Sequence, residues 1–272
     1  MTLKHILVAV VLMLSLASPV AAGQLENGIA AYQRGDYVTA LRLFRLLAEQ
    51  GKAKAQTFLG FMYGYARGVP QDYVAAVKWY RLAADKGDAE AQYHLGFMYA
   101  EGRGVEADFT EALKLFRLSA DKGDAKAQNT LGEIYTRGVG VPDDPAEAAK
   151  WYRRAANQGH ANAQYRLAIL YWSGVGVAQD NAEAVKWYRR AANQFHGGAA
   201  YSLASSYRDG KSLPQDYVLA HMWYNLAASG GDEVAVQGRD DIAKRMTPAQ
   251  IAEAQRLARE WARRNSRQRR FN

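Results

Sequence analysis

Leu59, Leu95, Leu131, Leu167 and Leu203 stand 36 residues apart, and so do Tyr63, Tyr99, Tyr135, Tyr171 and Tyr207. The same step joins Gly68, Gly104, Gly140 and Gly176. It also joins Asp72, Asp108, Asp144, Asp180 and Asp216, and Ala76, Ala112, Ala148, Ala184 and Ala220. A period of this length, held without a gap, marks an array in which each copy buries its apolar face against its neighbours. No segment alternates apolar and polar residues over strand length, so the expectation is all-α.

Each period reads as two helices. The first opens at an Ala-Gln pair such as Ala55-Gln56 or Ala127-Gln128 and carries Leu and Tyr four apart on one face. A Gly-x-Gly-Val segment such as Gly102-Arg103-Gly104-Val105 ends it. The aspartate column follows three residues after the valine, placed to N-cap the second helix. Glu111, Glu147 and Glu183 stand three residues further on and suit a capping box, and Pro145 suits the first helical position.

The second helix carries Trp79-Tyr80, Leu115-Phe116, Trp151-Tyr152, Trp187-Tyr188 and Trp223-Tyr224, and the four tryptophans are expected to be largely buried. Gly87, Gly123, Gly159 and Gly231 close it, where a left-handed residue is needed. Phe195 replaces this glycine once. Phenylalanine is costly there, so the helix is expected to run half a turn longer, with Gly197 or Gly198 making the turn. Ser206 replaces Met62, Met98, Ile134 and Leu170 in the next helix, which makes this junction the weakest expected in the array.

The organisation read from these signals has five parts. Residues 1–22 look like a secretory signal: Lys4, an apolar run from Ile6 to Leu16, then Val20-Ala21-Ala22 before a cleavage after Ala22. Eleven apolar residues are too few to span about 30 Å of hydrocarbon. Residues 23–52 read as a tetratricopeptide-like helix pair, 53–232 as five units of 36 residues, 233–264 as a capping helix pair and 265–272 as a basic tail. The expected product is exported, periplasmic or extracellular, with no membrane span.

Composition excludes several functions. The chain has no cysteine, which removes disulfide frameworks and thiolate chemistry. Its net charge is +8, but five arginines lie from Arg263 onward; without them and Lys4 it is +2. A nucleic-acid partner is therefore not expected, because the folded part carries no basic surplus. The tail itself could touch anionic lipid or polysaccharide. The basic columns, Lys78, Lys114, Lys150 and Lys186 with Arg81, Arg117, Arg153 and Arg189, read as a solvated face. No nucleophile, phosphate-loop or zinc-protease signature occurs, and His94, His160, His196 and His221 do not pair at ligand spacing. No catalytic, cofactor or metal residue is expected.

The motif Ala-Gln-x-x-Leu-Gly-x-x-Tyr, Gly-x-Gly-Val, Asp, Ala, Trp-Tyr and Ala-Ala with a closing Gly resembles the Sel1-like repeat family, relatives of the tetratricopeptide repeats. The resemblance implies a right-handed superhelical α-solenoid of antiparallel helix pairs, used as an adaptor or scaffold for protein partners, often at the cell envelope. Cysteine-rich exported relatives described as penicillin-binding use a disulfide in each repeat, which this chain lacks.

In such stacks the first helix of each pair lines the concave side. That face nominates Phe58, Phe61, Tyr65, Tyr93, His94, Phe97, Arg137, Tyr165, Arg166 and Tyr201 as partner-binding residues. Its aromatic first half suits an extended peptide or helix. The alternative is that Phe58, Phe61 and Phe97 pack between neighbouring pairs. The expected function is noncatalytic protein or peptide binding; the runner-up is a cell-wall-directed enzyme or a carbohydrate-binding protein of the envelope.

Overall fold

The structure is a computed structural model that describes residues 23–271; the expected signal, 1–22, lies outside the described residues. Fourteen helices run through these residues, with no strand among them. They alternate as pairs. The first is α1 (23–33) with α2 (Tyr37–Glu49). Then come α3 (Ala53–Gly64) with α4 (Tyr73–Ala84), and α5 (Ala89–Glu101) with α6 (Phe109–Asp121). Next are α7 (Ala125–Arg137) with α8 (Pro145–Asn157), α9 (Ala161–Ser173) with α10 (Asn181–Ala192), and α11 (Gly197–Asp209) with α12 (Tyr217–Ala228). The last pair is α13 (Glu233–Ala243) with α14 (Pro248–Phe271). The chain forms two compact units, divided between Asp124 and Ala125.

The aspartate column starts the second helix of every pair but the last, and Asp36 extends it one copy back. Each side chain accepts from the amide three residues on, as Asp72 does from Ala75 (2.9 Å) and Asp180 from Glu183 (2.9 Å). The expected capping boxes form only by half. The backbone N–H of Asp108 donates to the Tyr99 carbonyl, and that of Asp180 to the Tyr171 carbonyl, so the glutamates have nothing to accept from at the cap. Glu111, Glu147 and Glu183 instead pair with Lys114, Lys150 and Lys186. A reciprocal box does form at Thr247, whose N–H donates to Gln250 Oε1 while its hydroxyl accepts from the Gln250 amide. From there α14 continues through the residues read as a tail.

In each unit the residue after the tryptophan column forms the core. Tyr80, Phe116, Tyr152, Tyr188 and Tyr224 are all buried. The first helix passes so close that a Cβ on Gly60 would lie 2.4 Å from the Tyr80 ring. The tryptophans correct the expectation in part. Trp187 and Trp223 are 7% exposed, whereas Trp79 and Trp151 are only half-buried. They sit one position round the helix from the inward residue, on its flank. Arg190 covers Trp187 and Arg154 covers Trp151, each at 4.4 Å, and Trp261 of α14 meets Trp223 at 5.5 Å.

The junction at Phe195 is also a correction. α10 ends at Ala192 with no extension, Phe195 itself takes the left-handed conformation at φ 65°, and Gly197 and Gly198 open α11. The strain costs about 1–2 kcal/mol. The register needed by His196, which caps α11, is kept, and an edge-to-face contact with Trp261 at 5.1 Å offsets part of the cost.

Candidate partner-binding face

In the first unit the structure brings all six nominated residues of α3 and its neighbours into one ring array. Phe58 meets Phe61 at 5.8 Å between centroids, and Phe61 meets Tyr65 at 6.3 Å and His94 at 4.6 Å. His94 meets Tyr93 at 5.0 Å, and Tyr93 meets Phe97 at 5.0 Å. All of these rings but Tyr65 also touch the second-helix column: Phe58 stacks on Phe44 at 4.7 Å, Phe61 meets Tyr80 at 5.8 Å, His94 stacks on Tyr80 at 5.6 Å, and Tyr93 and Phe97 meet Phe116 at 6.0 and 5.0 Å. The two sequence alternatives are therefore not exclusive. The rings are the outer layer of the core, half-buried, and Tyr65 at the end of α3 is 53% exposed. Lys54 rides 5.8 Å over Phe58 and pairs with Glu90 at 2.5 Å, so opposite charges edge the array. Burial pushes the hydroxyl pKa of Tyr80 far above the usual phenol range.

The second unit groups its nominated residues less tightly. Tyr165 packs on His196 at 4.5 Å and Tyr188 at 6.0 Å, and Tyr201 meets Tyr224 at 5.5 Å. Tyr201 and Tyr188 wall a cavity of about 170 Å³ with Trp172, Ser202, Ser205 and Asp209. Arg208 binds Asp209 and holds its carboxyl below the usual carboxylate range. Burial pushes the Tyr188 hydroxyl up to about 12. Arg137 is exposed at the end of α7, and Arg166 is half-buried with its Nε unpartnered. Glu133 on α7 accepts from Asn129 (3.1 Å) and Asn162 (3.0 Å), so this part of the face is polar where the first unit is aromatic.

Three features escaped the sequence reading. The arginine column is not simply solvated: Arg45, Arg81, Arg153 and Arg189 donate to the hydroxyls of Tyr63, Tyr99, Tyr171 and Tyr207, eighteen residues on. Each bond ties one copy to the next, and the constant spacing was the available signal. His160 and His196 are N-caps whose Nδ1 accepts from Ala163 (3.3 Å) and Ala199 (3.2 Å). They stand in the column of Asp88, Asp124 and Asp232, which would have marked them. Burial, with the nearby Arg166 charge, lowers the pKa of His196, and burial also lowers that of His221. The third feature is Trp172, a wall of the cavity at Tyr201, whose position in the tyrosine-rich α9 gave no such indication. Among the described residues no cluster of three metal-ligating side chains gathers, and no helix is long and apolar enough to cross a membrane.

The Sel1 repeat family model matches residues 21–52, 53–88, 89–124, 125–160, 161–194 and 198–232. This chain is a Sel1 repeat protein. The matches take in the first helix pair as well as the five later copies, and Sel1 repeat proteins are commonly protein-interaction scaffolds. The crystal structure of a Sel1 repeat protein from Oxalobacter formigenes is 32% identical, covering 89% of this chain and 99% of that one, with a TM-score of 0.76. A protective antigen of uropathogenic Escherichia coli with the same repeat fold is 27% identical over 89% of this chain and 68% of that one, at a TM-score of 0.49. An immunity protein from Pseudomonas aeruginosa is 21% identical over 80% of this chain and 82% of that one, at 0.47. No curated protein matches the chain.

Proposed function

We propose that this Sel1 repeat protein is an exported, noncatalytic scaffold that binds a protein or peptide along the face of its first helices, anchored on the array of α3 and α5. The observation that carries the reading is the unbroken ring contact from Phe58 through Phe61, His94 and Tyr93 to Phe97, with the exposed Tyr65 branching from Phe61. Rigid aromatic surface gives large contact area at low entropic cost, which is why such residues dominate binding hot spots. The Lys54–Glu90 pair and His94 supply polar groups that can orient a bound segment. Export is supported by Lys4, the apolar run to Leu16 and Val20-Ala21-Ala22. The arginines from Arg263 onward suit contact with an anionic surface.

The test is site-specific photocrosslinking in the native cell. A benzophenone side chain at Tyr65 should capture one protein species, and the same group at Val74, 67% exposed on α4, should not. Equal capture from both positions overturns the assignment of the face. Amino-terminal sequencing of the envelope fraction should begin at Gly23; an intact amino terminus there overturns cleavage.

A further inference from the structure

The exposed side of the second helices changes character along the chain. Leu46, Leu82 and Leu118 stand 36 residues apart on α2, α4 and α6 and are 43%, 39% and 42% exposed. In the second unit the same column holds Arg154 and Arg190, which lie over Trp151 and Trp187 at 4.4 Å. The first unit thus shows water a row of leucines where the next two copies show guanidinium groups. A single exposed leucine needs no explanation, but one repeated at the same position of three successive second helices makes a patch.

The charges beside the row follow the same period. Arg42 and Lys78 stand one turn before Leu46 and Leu82, and Glu49 and Asp85 stand three residues after them. Each of these helices therefore carries a cation, a leucine and an acid, in that order, along one exposed face. Among the described residues none of these four charges has an ion-pair partner. This sets the first two copies apart: Lys114, Lys150 and Lys186 pair with a glutamate three residues earlier, but Thr39 and Ala75 hold that position in α2 and α4. Arg45 and Arg81, which also flank the leucines, are drawn aside to the hydroxyls of Tyr63 (3.1 Å) and Tyr99 (2.8 Å).

A cation and an acid seven residues apart lie about 10 Å from each other along the helix, too far to pair but placed to meet the same face reversed. Turning a second copy about an axis that runs along the stack reverses the helix direction and keeps the repeats in step. Leucine then faces leucine, Arg42 faces Glu49 and Lys78 faces Asp85, and each pair occurs twice because the contact is two-fold. Turning the second copy about an axis along the helices sets like charges opposite each other instead. The order of charges therefore selects one isologous arrangement. Lys78, Leu82 and Asp85 also wall a furrow of about 310 Å³ with Val105, which gives the leucine of the facing copy a place to sit.

We propose that the exposed side of α2, α4 and α6 docks on the same side of a second copy of this chain, with the helices antiparallel and with Arg42 paired to Glu49 and Lys78 to Asp85 across the contact. In this register the facing helix ends before it reaches Val74, so that position stays outside. The surface uses no residue of the aromatic array on α3 and α5 and stands or falls without it. Three leucines from each copy and a few exposed ion pairs make a small interface, so the dimer is weak, with a Kd of about 10–100 µM.

The test is sedimentation equilibrium of residues 23–272, which hold every described helix, over a hundredfold range of concentration. A reversible monomer–dimer equilibrium is expected, weakening as salt screens the ion pairs. Leu82→Arg gives α4 the side chain that covers a tryptophan in the second unit, here beside Trp79, so it should fold and raise the Kd at least tenfold. Lys78→Glu should raise it at least fivefold by setting like charges against each other. The double variant Lys78→Glu/Asp85→Lys exchanges both ends of the pair and should return the Kd to within twofold of the wild type's. A monomer at every concentration, a Kd unmoved by Leu82→Arg, tighter association of Lys78→Glu, or a double variant no better than the single one overturns the proposal.

Discussion

A left-handed backbone means different things at different residues of this chain. Gly104 has φ +71°, and a Cβ there would lie 2.3 Å from the Tyr73 carbonyl; Gly123 has φ +95° with open space around it. Gly123→Ala should therefore cost only the conformational term, about 1–2 kcal/mol. Gly104→Ala adds overpacking against backbone and should cost about 1–3 kcal/mol more. Urea titration of the two variants checks the difference. Trp187→Ala and Trp223→Ala should cost about 3–5 kcal/mol because both rings are buried. Trp79→Ala and Trp151→Ala should cost roughly half as much, since part of each ring already faces water. Equal losses at all four would contradict the flank position. His196 gives a pH dependence. Its neutral Nδ1 caps α11, and its folded pKa lies below the ordinary histidine value. The stabilisation is present above about pH 6.5 and is lost as pH falls below that value, where the unfolded chain gains a proton first. His196→Asn keeps a capping oxygen that does not titrate, so its Tm should fall less than the wild type's between pH 7 and 5.5.

At the scale of the element, α11 has fewer restraints than α3, α5, α7 and α9, the first helices of the copies before it. It lacks the buried glutamine of α3, α5, α7 and α9, it begins with two glycines, and Ser206 takes the place of a large apolar side chain. Its exit is also weaker: Ser212 replaces the glycine that elsewhere packs on the start of the preceding second helix, and the Ser212 hydroxyl is buried without a partner. Fewer buried contacts and an unsatisfied polar atom both lower the free energy of local opening. Amides 199–209 should exchange measurably faster than amides 127–137 of α7. Matching protection in the two segments would contradict α11 as the weak element.

At the scale of the whole molecule, each of the two compact units joins its copies through bonds that repeat with the sequence. The Arg–Tyr bonds and the Gln–carbonyl bonds each join one copy to the next. Nearest-neighbour cohesion makes damage local. In the Trp187→Ala variant, exchange should accelerate in α9 to α12 first, and the remaining helices of the second unit should follow only on global unfolding. Uniform acceleration throughout that unit would mean cooperativity longer in range than one neighbour.

The helix pairs, their caps and their breaks were legible in the sequence because each is a local matter: an aspartate beside a free amide, a glycine where φ is positive, an apolar residue every third or fourth position. Thirty-six-residue recurrence then supplied the architecture, since identical copies must meet through identical faces. The aromatic face from Phe58 to Phe97 was legible by the same periodicity. What tertiary structure decided was which groups satisfy one another between copies. The glutamates of the expected capping boxes turned to lysine because Tyr99 and Tyr171 had already taken the cap amides. Phe195 held the left-handed turn because His196 needed its register and Trp261, some sixty-six positions further on, lay against it. Propensity assigns a cost to a residue by itself; only the packed neighbours show what offsets that cost.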